Sequence, residues 1–163
     1  MHVHRMIALV GALIGIVGLF FSGLTTDGEA ALPALSQASD AFPDGIPTIW
    51  GGLASWAQIV LVVLIVAVVA LAMRPDRSTT YDKTGAGITT AVGVALFAYA
   101  IVKYLDASDS ADTLAGGFAQ AAAGGIPGVE AWSVTAGSGF FVLMAGTLLV
   151  IAGGAMSLAA KNN

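Results

Sequence analysis

Residues 59–73, from Ile59 to Met73, form an unbroken apolar run with no charged side chain and no amide. With its lead-in from Trp50, the stretch makes a helix of roughly 36 Å at about 1.5 Å per residue, enough to cross a ~30 Å hydrocarbon core with tilt. It stops at Arg74-Pro75, where a charge meets the headgroup region and proline ends the helix. Burying this run on every side would need soluble mass that a 163-residue chain with 57% hydrophobic and 10% charged residues does not have. The reading is a transmembrane helix in an integral membrane protein, and the mean hydropathy of +0.88 agrees.

The same passage recurs. Gly45-Ile46-Pro47 leading to Trp50 is echoed by Gly125-Ile126-Pro127 leading to Trp132, and at that offset Leu24 aligns with Tyr104. The expected fold class is therefore an all-α membrane protein with four transmembrane helices as two tandem hairpin-like repeats, parallel about an axis along the membrane normal. One integral membrane domain, 1–163, is expected, with spans at about 6–24, 50–73, 86–105 and 135–160. Outer loops at 25–49 and 106–134 and a cytoplasmic loop at 74–85 connect them.

Each outer loop carries helical spacing. In the first, Asp27 and Glu29 precede Leu32, Leu35 and Phe42, with Pro33 suited to a first helical turn. In the second, Asp106, Asp109 and Asp112 lead into Leu114, Phe118 and Ala121. Both predict short amphipathic helices lying on the outer surface. The first span competes with a secretory signal peptide, but its length favours a retained signal-anchor helix.

Charge sets the orientation. Arg5, Arg74, Arg77, Lys83 and Lys161 share one side with the two termini, while Asp27, Glu29, Asp40, Asp44, Asp106, Asp109, Asp112 and Glu130 fall on the other. The positive-inside rule puts both termini in the cytoplasm and the acidic loops outside a plasma membrane. Trp50, Trp56 and Trp132 fit an outer aromatic belt, and Lys103 a side chain snorkelling to the interface. The net charge of −4 gives no general attraction for nucleic acid.

Chemistry is sparse. No acid, base or histidine sits in the middle of a span, and such groups mark proton and ion pathways. Cysteine is absent, which excludes disulfides and thiolate-held clusters, and His2 and His4 lie in the N-terminal tail, away from any position suited to axial haem ligation. Phosphate-loop, zinc-protease and nucleophile-elbow motifs are missing too. The expectation is a chain without catalytic, metal or cofactor residues, carrying at most lipid at its interfaces. Asp106, Asp109 and Asp112 could take a divalent cation, but the spacing lacks the EF-hand pattern.

What is left is packing. Gly11 and Gly15 on the first span, Ala91 and Ala95 on the third and Gly146 on the fourth are small residues that let helices approach closely. Gln58 is the one amide well inside a span, and it is placed to bond across to Thr135 or Ser138. Spans one, three and four thus suit mutual packing, while span two is smooth and suits lipid or a partner. These residues, with the acids at 106, 109 and 112, are the candidate packing and partner sites. They suggest a non-catalytic accessory or assembly subunit whose partners are larger integral membrane subunits and lipids. The alternative is a small transporter or channel whose homo-oligomer lines a pore with Thr89, Thr90, Ser138 and Thr147. A lipid-modifying enzyme is a third class, with only the outer acids to serve it.

In size, cytoplasmic termini, acidic outer loops and Ala/Val/Gly-rich spans such as Val60–Leu71, the chain resembles the small accessory subunits of actinobacterial respiratory supercomplexes, which flank cytochrome bcc and aa3-type oxidase modules. The resemblance implies a place beside such modules and no functional residues. The topology is also similar to the four-span claudin-like arrangement, without that family's paired cysteines.

Overall fold

A computed structural model describes residues 1–76 and 78–160; Arg77 and residues 161–163, including Lys161, lie outside the described residues. The elements in order are α1 (Val3–Leu19), β1 (Leu24–Thr26), a 3-10 turn (Glu29–Ala31), α2 (Leu32–Ala38), α3 (Ser55–Ala72), α4 (Lys83–Ala123), β2 (Val134–Ala136) and α5 (Gly139–Ala160). The fold is helical, and α3, α4 and α5 are long and apolar enough to cross a membrane. α1 is apolar but shorter, at 17 residues.

Glycine decides which helices touch. A Cβ added at Gly11 would lie 2.5 Å from the Gly146 carbonyl oxygen and 2.8 Å from Val150 N, so α1 and α5 meet backbone to backbone. Gly18 meets Leu143 in the same way, and Gly153 meets His4. On the other side of α5, Gly93 of α4 sits against Ile151, and Gly154 against Thr90 and the Ala86 carbonyl. α3 has no glycine and stands farther off, held through Leu61, Leu64, Ile65 and Val68. Packing of small residues is what holds apolar helices together where water gives no drive; α1, α4 and α5 have it, and α3 relies on larger side chains.

At 41 residues α4 is about 61 Å long, far beyond the reach of its neighbours. It does not stop at Leu105, and no separate amphipathic helix forms in the second loop. Residues 106–123 instead continue the same helix, because no proline interrupts them and the Gly116-Gly117 pair is carried within it. Ser108, Ser110 and Thr113 return their hydroxyls to carbonyls four residues back. Ala111, Leu114, Phe118 and Ala121 extend a buried stripe. The end comes at Gly124-Gly125, where Gly125 takes φ +73° and Ile126 N bonds the Ala121 carbonyl.

This extension anchors a second, smaller core. Leu32 and Leu35 of α2, which starts with Pro33 in its first turn, pack on Ala111, Leu114 and Phe118. Phe118 is the centre, with Trp132 edge-on at 5.2 Å and Phe42 tilted at 5.8 Å. Trp132 is therefore part of a structured cap.

Between cap and bundle the two loops are stitched together. β1 pairs antiparallel with β2, Thr25 opposite Thr135. On the other side of residues 20–24, Gly23 N bonds the Pro47 carbonyl at 2.9 Å and Trp50 N the Leu19 carbonyl at 2.8 Å. This places Thr135 in a strand, so the last helix begins at Gly139 rather than Thr135, and residues 50–54 are turns ahead of α3. The repeated Gly-Ile-Pro has two structural roles: at 45–47 it lines the stitched segment, and at 125–127 it follows the end of α4.

Candidate functional site

The sequence-derived packing residues separate into two groups. Gly11, Gly15 and Gly146 are buried in the α1/α5 seam, where a Cβ added at Gly146 would run into the backbone of Gly11 and Gly15. They serve the chain's own packing. Ala91 and Ala95 are exposed, and a Cβ added at Gly87, one turn earlier, would meet nothing within 4 Å. Residues 87, 91 and 95 thus form an outward stripe of small side chains on α4.

That stripe borders the loosest contact of the bundle. Trp56, Val60 and Leu64 of α3 and Ala95, Leu96 and Tyr99 of α4 line an apolar groove of about 200 Å³. Next to it, the outward face of α3 carries Trp56 at 66% exposure, with Ile59, Val63 and Val66 also well exposed. No polar side chain interrupts the face. Its shape follows from composition, since the α4 stripe lets another backbone come close while α3 offers bulk.

The interior is closely packed. The cavity between Gly15, Leu61, Ile65, Tyr99, Leu143 and Thr147 is about 20 Å³, room for about one water. Thr89, Thr147 and Ser157 are buried, and their hydroxyls donate to carbonyls of their own helices, those of Gly85, Met144 and Gly153. With Thr89 and Thr147 turned inward, they are unavailable to a pore between copies.

Other expected contacts differ. Gln58 does not reach Thr135 or Ser138; its Nε2 donates to the Trp50 carbonyl at 2.9 Å and ties the turn at 50–54 to α3. Lys103 pairs with Asp106 one turn on, at 2.6 Å. Asp109 and Asp112 are exposed on the projecting part of α4, and among the described residues no three His, Asp or Glu side chains gather as a metal site.

A feature missed in the sequence lies at the opposite end. Arg5, in the first turn of α1, is only 3% exposed. Its guanidinium sits 5.1 Å from the centre of the Tyr81 ring and donates from Nη2 to the Thr80 carbonyl at 3.2 Å. Tyr81 is 1% exposed, and its burial pushes the phenol above its ordinary pKa, with the Thr89 hydroxyl and the Arg5 charge pulling less strongly the other way. Thr80 and Tyr81 lie over the start of α1, which a basic residue near the N-terminus does not announce.

No family model matches the chain, and no curated protein or solved structure gives a significant match.

Proposed function

We propose that the chain is a four-span integral membrane protein serving as a non-catalytic accessory or assembly subunit of a larger membrane complex. In this reading α1, α3, the first half of α4 and α5 cross the bilayer. Arg5, Arg74 and Lys83 mark the cytoplasmic end, and the acidic cap stands outside. α1 spans about 26 Å, a length the bilayer accommodates by modest local thinning. The spans form two successive hairpins of one sense, although the loops joining them are built differently.

The observation that carries the assignment is the face made by α3 and the 87/91/95 stripe of α4. Every tight glycine seam on α1 and α5 is used within the chain, yet this stripe and its groove stay uncovered. Lipid needs no small-residue stripe; a close-packed helix does. We assign the face to a transmembrane helix of a larger subunit. The closed interior, about 20 Å³ at its centre, weighs against the transporter alternative. The resemblance in outline makes a bcc–aa3 respiratory assembly the first host to try.

The test is extraction of tagged protein from native membranes in mild detergent, followed by a native gel and an absorbance spectrum of the band. Comigration with a larger assembly, lost in Ala91→Leu and Ala95→Leu variants that keep their helical circular dichroism, supports the reading. A small homo-oligomer unaffected by either change overturns it, and a colourless large assembly removes the respiratory host alone.

A further inference from the structure

At the outer end of the bundle a pocket of about 330 Å³ opens between the turn before α3, residues 103–110 of α4 and the start of α5. Small-ligand sites begin at about 300 Å³. Leu53 and Phe140, both buried, give it an apolar wall, and Phe140 is held edge-on to the Tyr104 ring at 6.0 Å. Its polar lining comes from Thr48, Lys103, Asp106 and Ser110. The charged pair is within reach of a ligand, since the Lys103 and Asp106 side chains are 35% and 57% exposed.

These groups have bonding capacity left. Lys103 donates to Asp106 Oδ2 at 2.6 Å with one of its three N–H bonds, and Asp106 Oδ1 accepts from no group among the described residues. Thr48 Oγ1 accepts from Gly51 N and keeps its own proton to donate, while Ser110 donates to the Asp106 carbonyl and keeps its oxygen to accept. An ion pair this exposed contributes little by itself, so a ligand that shares both charges displaces little. The pocket matches a zwitterion: anionic oxygens for Lys103 and Thr48, an ammonium for Asp106 and Ser110. The surroundings select the same class. Lys103 is the only basic residue in the outer segments, where every other charged residue is a carboxylate. A net anion would enter a negative field there, and a zwitterion adds no charge to it.

The pocket stands at the head of the apolar groove between α3 and α4. Tyr99 in the groove and Lys103 in the pocket are one turn apart on α4; on the opposite wall Leu53 and Ala57 are four residues apart. In the four-span reading, on which this inference rests, Lys103 lies at the outer end of its span. A polar recess followed inward by an apolar track is the order in which a lipid presents headgroup and acyl chain.

We propose that this pocket binds the headgroup of a zwitterionic phospholipid with a primary ammonium, phosphatidylethanolamine in class, with one acyl chain in the α3/α4 groove. The partner helix assigned to 87/91/95 closes beside that chain.

The experiment uses full-length protein, purified in detergent and stripped of lipid, with thermal unfolding followed by circular dichroism and lipid retention by native mass spectrometry. Phosphatidylethanolamine at a hundredfold excess over its Kd is expected to raise the midpoint by about 5 °C or more. Phosphatidylcholine, which has no N–H to give Asp106, and phosphatidylglycerol, which is a net anion, should each do less with the same chains. Asp106→Asn should abolish the preference for phosphatidylethanolamine over phosphatidylglycerol, and Lys103→Gln should weaken retention of all three. Ala107→Trp fills the pocket with both charges kept and should lose the response; if it does not fold, the two charge variants decide. Equal stabilisation by the three lipids or by diacylglycerol, or charge variants that respond as the wild type, overturns the site. A full response to soluble phosphoethanolamine overturns the lipid as its ligand. The membrane reading is checked apart from these, by whether alkaline carbonate strips the chain from native membranes.

Discussion

Replacing Gly146 by alanine tests how α1 and α5 are held. An added Cβ would lie 2.6 Å from the Gly11 carbonyl oxygen and 2.8 Å from Gly15 Cα, and would also meet Gly15 N. All three obstacles are backbone atoms, so no rotamer change makes room and the helices must separate. Alanine brings about 1 kcal/mol of helix propensity over glycine. Against this stands an overpacking cost of about 1–3 kcal/mol. The upper half of that range applies, because separating the helices at Gly146 also loosens the contacts at Gly11 and Gly18. The net expectation is a loss of about 1–2 kcal/mol. The control is Gly116→Ala on the projecting part of α4, where a Cβ meets nothing within 4 Å. Propensity alone then applies, and the change should stabilise by up to about 1 kcal/mol. Thermal and denaturant unfolding in micelles, read by circular dichroism, gives both values. A Gly146→Ala protein as stable as its Gly116→Ala counterpart would refute the close backbone seam.

Three further outcomes follow from named contacts. Phe118→Ala removes the wholly buried centre of the cap and should cost about 3–5 kcal/mol of local stability. Trp132 emission should shift to the red and loop 124–133 become sensitive to protease, while the helical signal of the bundle persists. Gln58→Leu loses the bond to the Trp50 carbonyl, worth about 0.6 kcal/mol by membrane double-mutant averages. It should leave the unfolding midpoint nearly unchanged while speeding hydrogen exchange at residues 50–54. Tyr81 carries a pKa raised chiefly by burial. Its contribution to stability is present below the ordinary tyrosine value of about 10 and is lost as pH rises through the folded-state pKa. Tyr81→Phe should remove a late step from the phenolate absorbance titration and flatten the alkaline fall in stability.

The parts legible in the sequence were those written in composition along one element. The smooth Val/Leu/Ile run of α3 and the glycines of α1 and α5 gave both the long helices and the division between close and distant packing. The end of α4 was misread because Asp106, Asp109 and Asp112 report exposure to water, not the end of a helix. Charge and helix termination coincide only where glycine or proline follows, as at Arg74-Pro75. The β1/β2 pairing was invisible for another reason: three-residue strands have too few alternations to show a period, and their partners lie more than 100 residues apart, Leu24 opposite Ala136. Arg5 entered only as a basic residue on the cytoplasmic side, because its burial depends on Thr80 and Tyr81, distant in sequence, packing against α1.

The candidate interface shows why one motif has two meanings. Gly11/Gly15 and Gly87/Ala91/Ala95 carry the same four-residue spacing of small side chains, and nothing local separates them. What separates them is supply. α5 is a single helix with two glycine-bearing faces, Gly146 and Gly153 toward α1 and Gly154 toward α4. Once α1 and α4 have filled both, the chain has no third smooth partner for α4's outward stripe, because α3 has bulky residues where glycine would be needed. In the proposed reading, the helix that closes on 87/91/95 comes from a different subunit. This is why Ala91 and Ala95, and not the more conspicuous glycines, are the positions at which assembly should fail.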